Sequence, residues 1–126
     1  MATDPRRVLV IDDEAVLRSL FRDMLSACGY EVDVAEDGAA GLARFREQRY
    51  EAVITDLLMP GMNGLEVAAA LRTIDADVPV ILLTGSAPAL TSSRARESGV
   101  NILLHKPIAL ADLKSAIDTA TAADRR

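Results

Sequence analysis

Apolar residues along this chain fall into two alternating patterns. Short runs recur at VLVI (8–11), EVDVA (31–35), AVIT (52–55), VPVILLT (78–84) and NILL (101–104). They have the length and the Val/Ile content of strands. Three of them are nearly unbroken, as expected of parallel strands covered on both faces, whereas EVDVA alternates and suits a sheet edge. The stretches between them repeat at helical spacing. Over 15–28, Leu17, Leu20, Phe21, Met24, Leu25 and Cys28 form one stripe, with Arg18, Arg22 and Asp23 opposite and Gly29 as the stop. Residues 38–48 carry Leu42 and Phe45 behind an Asp37 cap. Residues 64–72 carry Leu65, Ala68 and Leu71, with Asn63 and Glu66 spaced as a capping box. Residues 88–98 hold few apolar anchors before Gly99, and 110–121 present Leu110, Leu113 and Ile117. The closing TAADRR reads as a frayed end.

The order is βαβαβαβαβα, without repeat or linker. Right-handed crossovers then predict a parallel sheet between two helical layers. Ligands of such folds bind beyond the carboxyl ends of the strands, where the strand order reverses. At those ends the first strand delivers Asp12 and Asp13, the third Asp56, the fourth Thr84 and Gly85, and the fifth His105-Lys106-Pro107. Carboxylates crowded at the mouth of an apolar sheet repel one another and lose hydration, so they call for a cation. Mg²⁺ suits an all-oxygen set completed by water and a phosphate oxygen. Lys106 supplies a second positive charge for an arriving anion, Thr84 a hydroxyl and Gly85 an approachable backbone N–H. The set is built for phosphoryl transfer, with Asp56 as the nucleophile and the LLMPGMNG turn offering carbonyls to the metal. Glu14 is assigned to the first helical turn. His105 has no partner ligands and is assigned a structural or partner-facing role. Cys28 lies on the apolar stripe and is assigned to the core, and Met59 and Met62 flank a turn and need no cofactor.

Composition narrows the function. With 126 residues, half of them hydrophobic, the chain is the size of one domain with a substantial core. Its net charge of −5 argues against gripping nucleic acid directly. A single cysteine excludes an intrachain disulfide and a cysteine-based metal site. No apolar run reaches the about 18–20 residues of a membrane span, so no membrane insertion is expected. MATDPRR leads into no signal-peptide core, and a cytoplasmic location is expected.

Four motifs, VIDDE, DLLMPGMNG, LLTG and HKP, stand in order at successive strand ends. From about Arg7 to Ala120 the chain resembles the receiver domain of two-component response regulators, the family of the bacterial chemotaxis regulator. The resemblance implies a flavodoxin-like (βα)5 doubly wound sheet of order 2-1-3-4-5 and one receiver domain over 1–126, core about 7–120. It makes Asp56 the phosphoacceptor. Mg²⁺, the implied cofactor, would be bound directly by Asp13, largely through water by Asp12, and by Asp56 and the Leu58 carbonyl. Thr84, Gly85 and Lys106 would hold the phosphoryl oxygens. The implied donor is a sensor histidine kinase or histidine phosphotransfer protein, docking on Ala15, Arg18, Pro107 and Ile108. Such a protein is a signalling phosphoacceptor rather than an enzyme, a stand-alone regulator or a receiver of a hybrid kinase, and a monomer or weak phosphorylation-dependent dimer.

Several positions depart from the family pattern. Leu103 stands where many receivers carry Tyr or Phe, Ile108 follows Lys-Pro where Phe is frequent, and the last helix lacks the charge pattern of dimerising transcription-factor receivers. These departures fit a receiver serving a kinase, a relay or an adaptor. Apolar Leu58, with Ser86 at the matching place after Thr84, gives attacking water no orienting group, so a long-lived phosphoryl form is expected. The alternative is a haloacid-dehalogenase-like phosphohydrolase, which needs Asp at position 14 and a late acidic pair. Position 14 is Glu, and the late acids Asp112, Asp118 and Asp124 fall on or beyond the last helix. Neither nucleotide-binding glycine motif occurs.

Overall fold

The computed structural model describes residues 6–85 and 92–124. Strands and helices alternate: β1 (Arg7–Ile11), α1 (Ala15–Ala27), β2 (Glu31–Ala35), α2 (Gly38–Glu47), β3 (Ala52–Asp56), α3 (Gly64–Ile74), β4 (Val80–Thr84), α4 (Ser92–Glu97), β5 (Ile102–His105) and α5 (Leu110–Asp124). All pairings are parallel and the sheet order is β2-β1-β3-β4-β5. The expected doubly wound sheet is the observed one.

Alternation along each strand feeds two cores. Leu9 and Ile11 join Leu42, Phe45, Val67 and Leu71 on the α2–α3 side. Val8 and Val10 join Phe21, Leu25, Leu113 and Ile117 on the α1–α5 side. Each fully buried aliphatic side chain contributes about 1.5–3 kcal/mol. β3 and β4 are buried at every position because helices cover both of their faces. EVDVA forms an edge strand, as its alternation predicted, and its polar positions are tied down. Asp33 accepts from Tyr50 Oη at 2.7 Å, and Arg7 pairs with Glu31 at 3.0 Å.

The helix starts follow local chemistry. Asp37 caps α2 through the Ala40 amide, and Asn63 and Glu66 form the reciprocal capping box of α3. Gly29 takes φ +95°, a left-handed turn that a Cβ would strain, directly after α1.

Four expectations change. Leu20 is 48% exposed, because at 100° per residue it lies on the flank of the α1 stripe centred near Cys28 and Phe21. Arg18 occupies the other flank and is half-buried rather than opposite the core. Cys28 is also half-buried, packed at the margin of the α1–α5 core. The last helix continues through Asp124, since TAAD contains no breaker. Of the helix expected over 88–98, Ser92–Glu97 is helical and 88–91 lie outside the described residues, as does Ser86.

Candidate functional site

Register assembles the carboxyl rim. Ile11 lies opposite Thr55, so Asp12 and Asp56 leave adjacent strands side by side. Asp56 is level with Leu83, and Thr84 with His105, which sets Lys106 immediately beyond the end of β5. This is the β1/β3 crevice, the point at which the strand order reverses.

Asp12 is 1% exposed, Asp56 is buried, and Asp13 is exposed. One carboxylate oxygen from each lies within 4.8 Å of the others, an arrangement able to hold a metal ion. Lys106 Nζ bonds Asp56 Oδ1 at 2.9 Å and stands 4.0 Å from Asp12 Oδ2. Burial holds the Asp12 carboxyl above the ordinary carboxylate range, with help from Asp56 and Asp13 and against the Glu14 amide and Lys106. Burial works against the Lys106 ammonium too, but the hydrogen bond and charge of Asp56, with Asp12 and Glu14, lift its pKa. One ammonium therefore faces three carboxylates. Among the described residues, Asp12 Oδ2 and Thr84 Oγ1 are both buried without a hydrogen-bond partner.

The donor set fits Mg²⁺. Oxygens on opposite sides of one Mg²⁺ lie about 4.2 Å apart. A spread of up to 4.8 Å leaves room for one acid to bind through water. An orphaned, buried carboxylate oxygen also calls for a positive partner.

The rim is braced from beneath. Glu14 is the N-cap of α1 rather than part of its first turn; its side chain makes no cap bond, but its amide donates to Asp12 Oδ1 at 2.9 Å. Thr55 Oγ1 donates to the Asp56 carbonyl at 3.1 Å. The turn after Asp56 folds back so that the Gly64 amide donates to the Leu57 carbonyl, and a Cβ at Gly64 would come 2.5 Å from the Asp56 carbonyl oxygen. Among the described residues a Cβ on Gly85 would meet only Lys106 Cδ, at 3.9 Å, so packing against them does not dictate glycine there.

Residue by residue, Asp12, Asp13, Asp56, Thr84, Gly85 and Lys106 do come to one rim. Leu58 follows Asp56 with its side chain 62% exposed. Ala15 and Pro107 are exposed, and Ile108 is half-buried against the α1–α5 core. The Lys106–Pro107 peptide is cis. Leu103 is half-buried against the α2–α3 core, and His105 is exposed. Arg18 was assigned only to docking, yet its Nη1 donates to the Asp12 carbonyl at 2.8 Å. Its place on the stripe flank, one turn into the helix after the acid pair, was the available signal. The phosphohydrolase alternative finds no support. Position 14 is Glu, an exposed N-cap residue rather than the required Asp, and Asp118 accepts from Tyr30 and Lys114 near the opposite end of the strands.

Fold and rim together define a class: a flavodoxin-like α/β protein with a cluster of carboxylates able to hold a metal ion, and a lysine beside it, at its switch point. The chain belongs to the response regulator receiver domain family, whose model matches residues 8–118. Response regulator MprA of Mycobacterium sp. (strain KMS) is 37% identical over 109 residues, which cover 86% of this chain and 47% of that protein. The chain thus spans about half the length of the curated relatives it matches. A response regulator receiver domain protein from Clostridium thermocellum is 31% identical with a TM-score of 0.90, covering 95% of this chain and 97% of its own. The response regulator TrrA of Thermotoga maritima, solved in complex with Mg(2+)-BeF, is 35% identical with a TM-score of 0.83, covering 91% and 98%. Among the described residues no helix is long and apolar enough to cross a membrane.

Proposed function

We propose that Asp56 is the phosphoacceptor and that it takes its phosphoryl group from a histidine kinase or histidine phosphotransfer protein. The observation that carries this reading is the single lysine. Its Nζ lies 2.9 Å from Asp56 Oδ1, in a rim where Thr84 Oγ1 and Asp12 Oδ2 are buried without hydrogen-bond partners among the described residues. A carboxylate oxygen of Asp56 attacks phosphorus, the donor's N–P bond breaks as the new O–P bond forms, and the imidazole nitrogen keeps the electron pair and is protonated. Asp12, Asp13, Asp56 and the Leu58 carbonyl would hold Mg²⁺. When bound, that ion neutralises the carboxylates and the equatorial phosphoryl oxygens. Lys106 exchanges its carboxylate partner for a phosphoryl oxygen, and the Thr84 hydroxyl donates to another. Gly85, lacking a Cβ, lets the dianion reach its backbone amide. The product is a signalling state, released by slow hydrolysis at the same rim.

Ala15 and Pro107, both exposed beside the rim, form the docking contact with Arg18 and Ile108. The domain acts in the cytoplasm, as a stand-alone regulator or as one unit of a longer signalling protein. It is a monomer or a weak dimer formed on phosphorylation.

The test is direct. Incubation with Mg²⁺ and acetyl phosphate adds one phosphoryl mass to the intact protein, and chelation of Mg²⁺ abolishes the addition. A mass shift that survives Asp56→Ala, or no shift with either acetyl phosphate or a cognate kinase, overturns the assignment.

A further inference from the structure

Asp12 is held on almost every polar atom it has. Its amide donates to the Ala35 carbonyl at 3.1 Å, and its Oδ1 accepts from the Glu14 amide at 2.9 Å. Its carbonyl accepts from Arg18 Nη1 at 2.8 Å. Oδ2 alone is left without a hydrogen-bond partner among the described residues, and it is buried 4.0 Å from Lys106 Nζ.

The contact with Arg18 is unusual in its choice of acceptor. Carboxylates crowd the next strand ends, yet among the described residues the Arg18 guanidinium forms no ion pair and its side-chain hydrogen bond goes to a backbone oxygen. That oxygen belongs to the peptide joining Asp12 to Asp13. Holding it fixes the plane of this peptide, and with it the directions in which both acids leave the backbone. A guanidinium suits the task because its rigid fork loses little freedom on bonding and keeps its charge at any accessible pH. Arg18 also projects from the helix that follows the acid pair, so the clasp closes β1 onto α1 across the turn.

We infer that Arg18 is a positioning residue for the acid pair. It locks the Asp12–Asp13 peptide so that the two carboxylates are preorganised for Mg²⁺ and for the phosphoryl transfer that depends on it. This inference rests on the reading of the rim as a phosphoacceptor site, and it assigns Arg18 a role that needs no docked partner.

The experiment compares wild type with Arg18→Met, which keeps the apolar stem, and Arg18→Lys, which keeps the charge. Three quantities are read: Mg²⁺ affinity of the unphosphorylated protein by calorimetry, phosphorylation rate with acetyl phosphate, and hydrogen exchange at the Glu14 amide. Groups that orient metal ligands typically carry about a 10–100-fold effect on affinity or activity. Arg18→Met is therefore expected to weaken Mg²⁺ binding and slow the acetyl phosphate reaction by about tenfold or more. It should also speed exchange at Glu14 while the remaining β1 amides stay protected. Arg18→Lys recovers part of each loss and serves alone should Arg18→Met not fold. Wild-type values on all three measurements in the folded variant would overturn the inference, and a loss confined to transfer from a kinase would make Arg18 a docking residue only. If wild type neither binds Mg²⁺ nor accepts phosphoryl, the functional reading fails by itself. Exchange at Glu14 then decides alone whether Arg18 orders the turn.

Discussion

Replacing Asp12 with Asn should stabilise the metal-free protein and destabilise it relative to wild type once Mg²⁺ is present. Asp12 is 1% exposed, 4.0 Å from the Lys106 ammonium and within 4.8 Å of oxygens of Asp13 and Asp56. At an effective dielectric constant near 20, opposite charges 4.0 Å apart attract by about 4 kcal/mol, and like charges 4.8 Å apart repel by about 3.5 kcal/mol. Attraction to Lys106 and repulsion from Asp56 nearly cancel, and the exposed Asp13 adds little. What remains is the cost of stripping water from the Asp12 carboxylate, set against its bond from the Glu14 amide. Asn keeps that acceptor and sheds the charge, for an expected gain of about 1–2 kcal/mol, or about 3–6 °C in Tm. The pH dependence carries a definite sign. Asp12 binds its proton more tightly in the folded than in the unfolded chain. Its contribution to stability is therefore lost as pH rises from the ordinary carboxylate range through the raised folded value. The variant's advantage should open across that window and hold above it. Mg²⁺ at about a hundred times its Kd adds about 2.7 kcal/mol to a protein that binds it, enough to reverse the ranking in favour of wild type. Thermal melts from acid to neutral pH, with chelator or with Mg²⁺, measure both effects. A variant that melts below wild type without metal, or an equal Mg²⁺ response from both proteins, would refute the account of the rim.

Other substitutions test other parts of the molecule. Arg72 on α3 donates to the carbonyls of Gly99 and Val78 and to Asn101 Oδ1, so Arg72→Ala should cost about 2–3 kcal/mol in urea unfolding, with Lys restoring less than half. Gly64→Ala drives a Cβ to 2.5 Å from the Asp56 carbonyl oxygen and against Leu82; an expected loss of about 2–3 kcal/mol in urea should accompany slower reaction with acetyl phosphate. Leu58 offers no polar group to water beside the acceptor, so Leu58→Asn should shorten the phosphoryl half-life several-fold when its decay is followed by mass, and an unchanged half-life removes the idea. Thr84→Ala deletes a buried hydroxyl with no hydrogen-bond partner among the described residues, so stability should change by less than about 1 kcal/mol while phosphorylation yields a smaller chemical-shift response across β4 and β5.

The rim was legible because strand ends are marked twice, by the end of an apolar run and by the residue types that follow it. Asp12, Asp13, Asp56, Thr84 and Lys106 all stand immediately at or after such ends, and the parallel register brings them together. Helix flanks were harder to read. Leu20 and Arg18 lie on either edge of the α1 stripe, where a few tens of degrees decide exposure, and the choice belongs to the neighbouring sheet rather than to local sequence. The backbone bracing was not legible either. Nothing in a string of letters shows that Arg18 would pass over the carboxylates for a carbonyl, or that the Glu14 amide rather than its side chain would serve Asp12. The extent of α5 was readable and misread: without Gly or Pro to stop it, TAAD continues the helix.

The two orphaned atoms of the rim demand opposite partners. Asp12 Oδ2 can only accept, so it calls for a cation or a donor, whereas the Thr84 hydroxyl has a proton to give and calls for an acceptor. They do not serve each other, and Lys106 bonds Asp56 at 2.9 Å rather than either of them. Water could serve either atom, but it would leave three carboxylates facing one ammonium. A divalent cation together with a phosphoryl group would bring the further positive charge that the carboxylates call for and the oxygens that Thr84 and Lys106 can bond. Each component alone satisfies only half of the site. On the proposed reading, the differential affinity that any two-state switch requires would lie at the ends of β1 and β4, on the two buried atoms without a hydrogen-bond partner among the described residues.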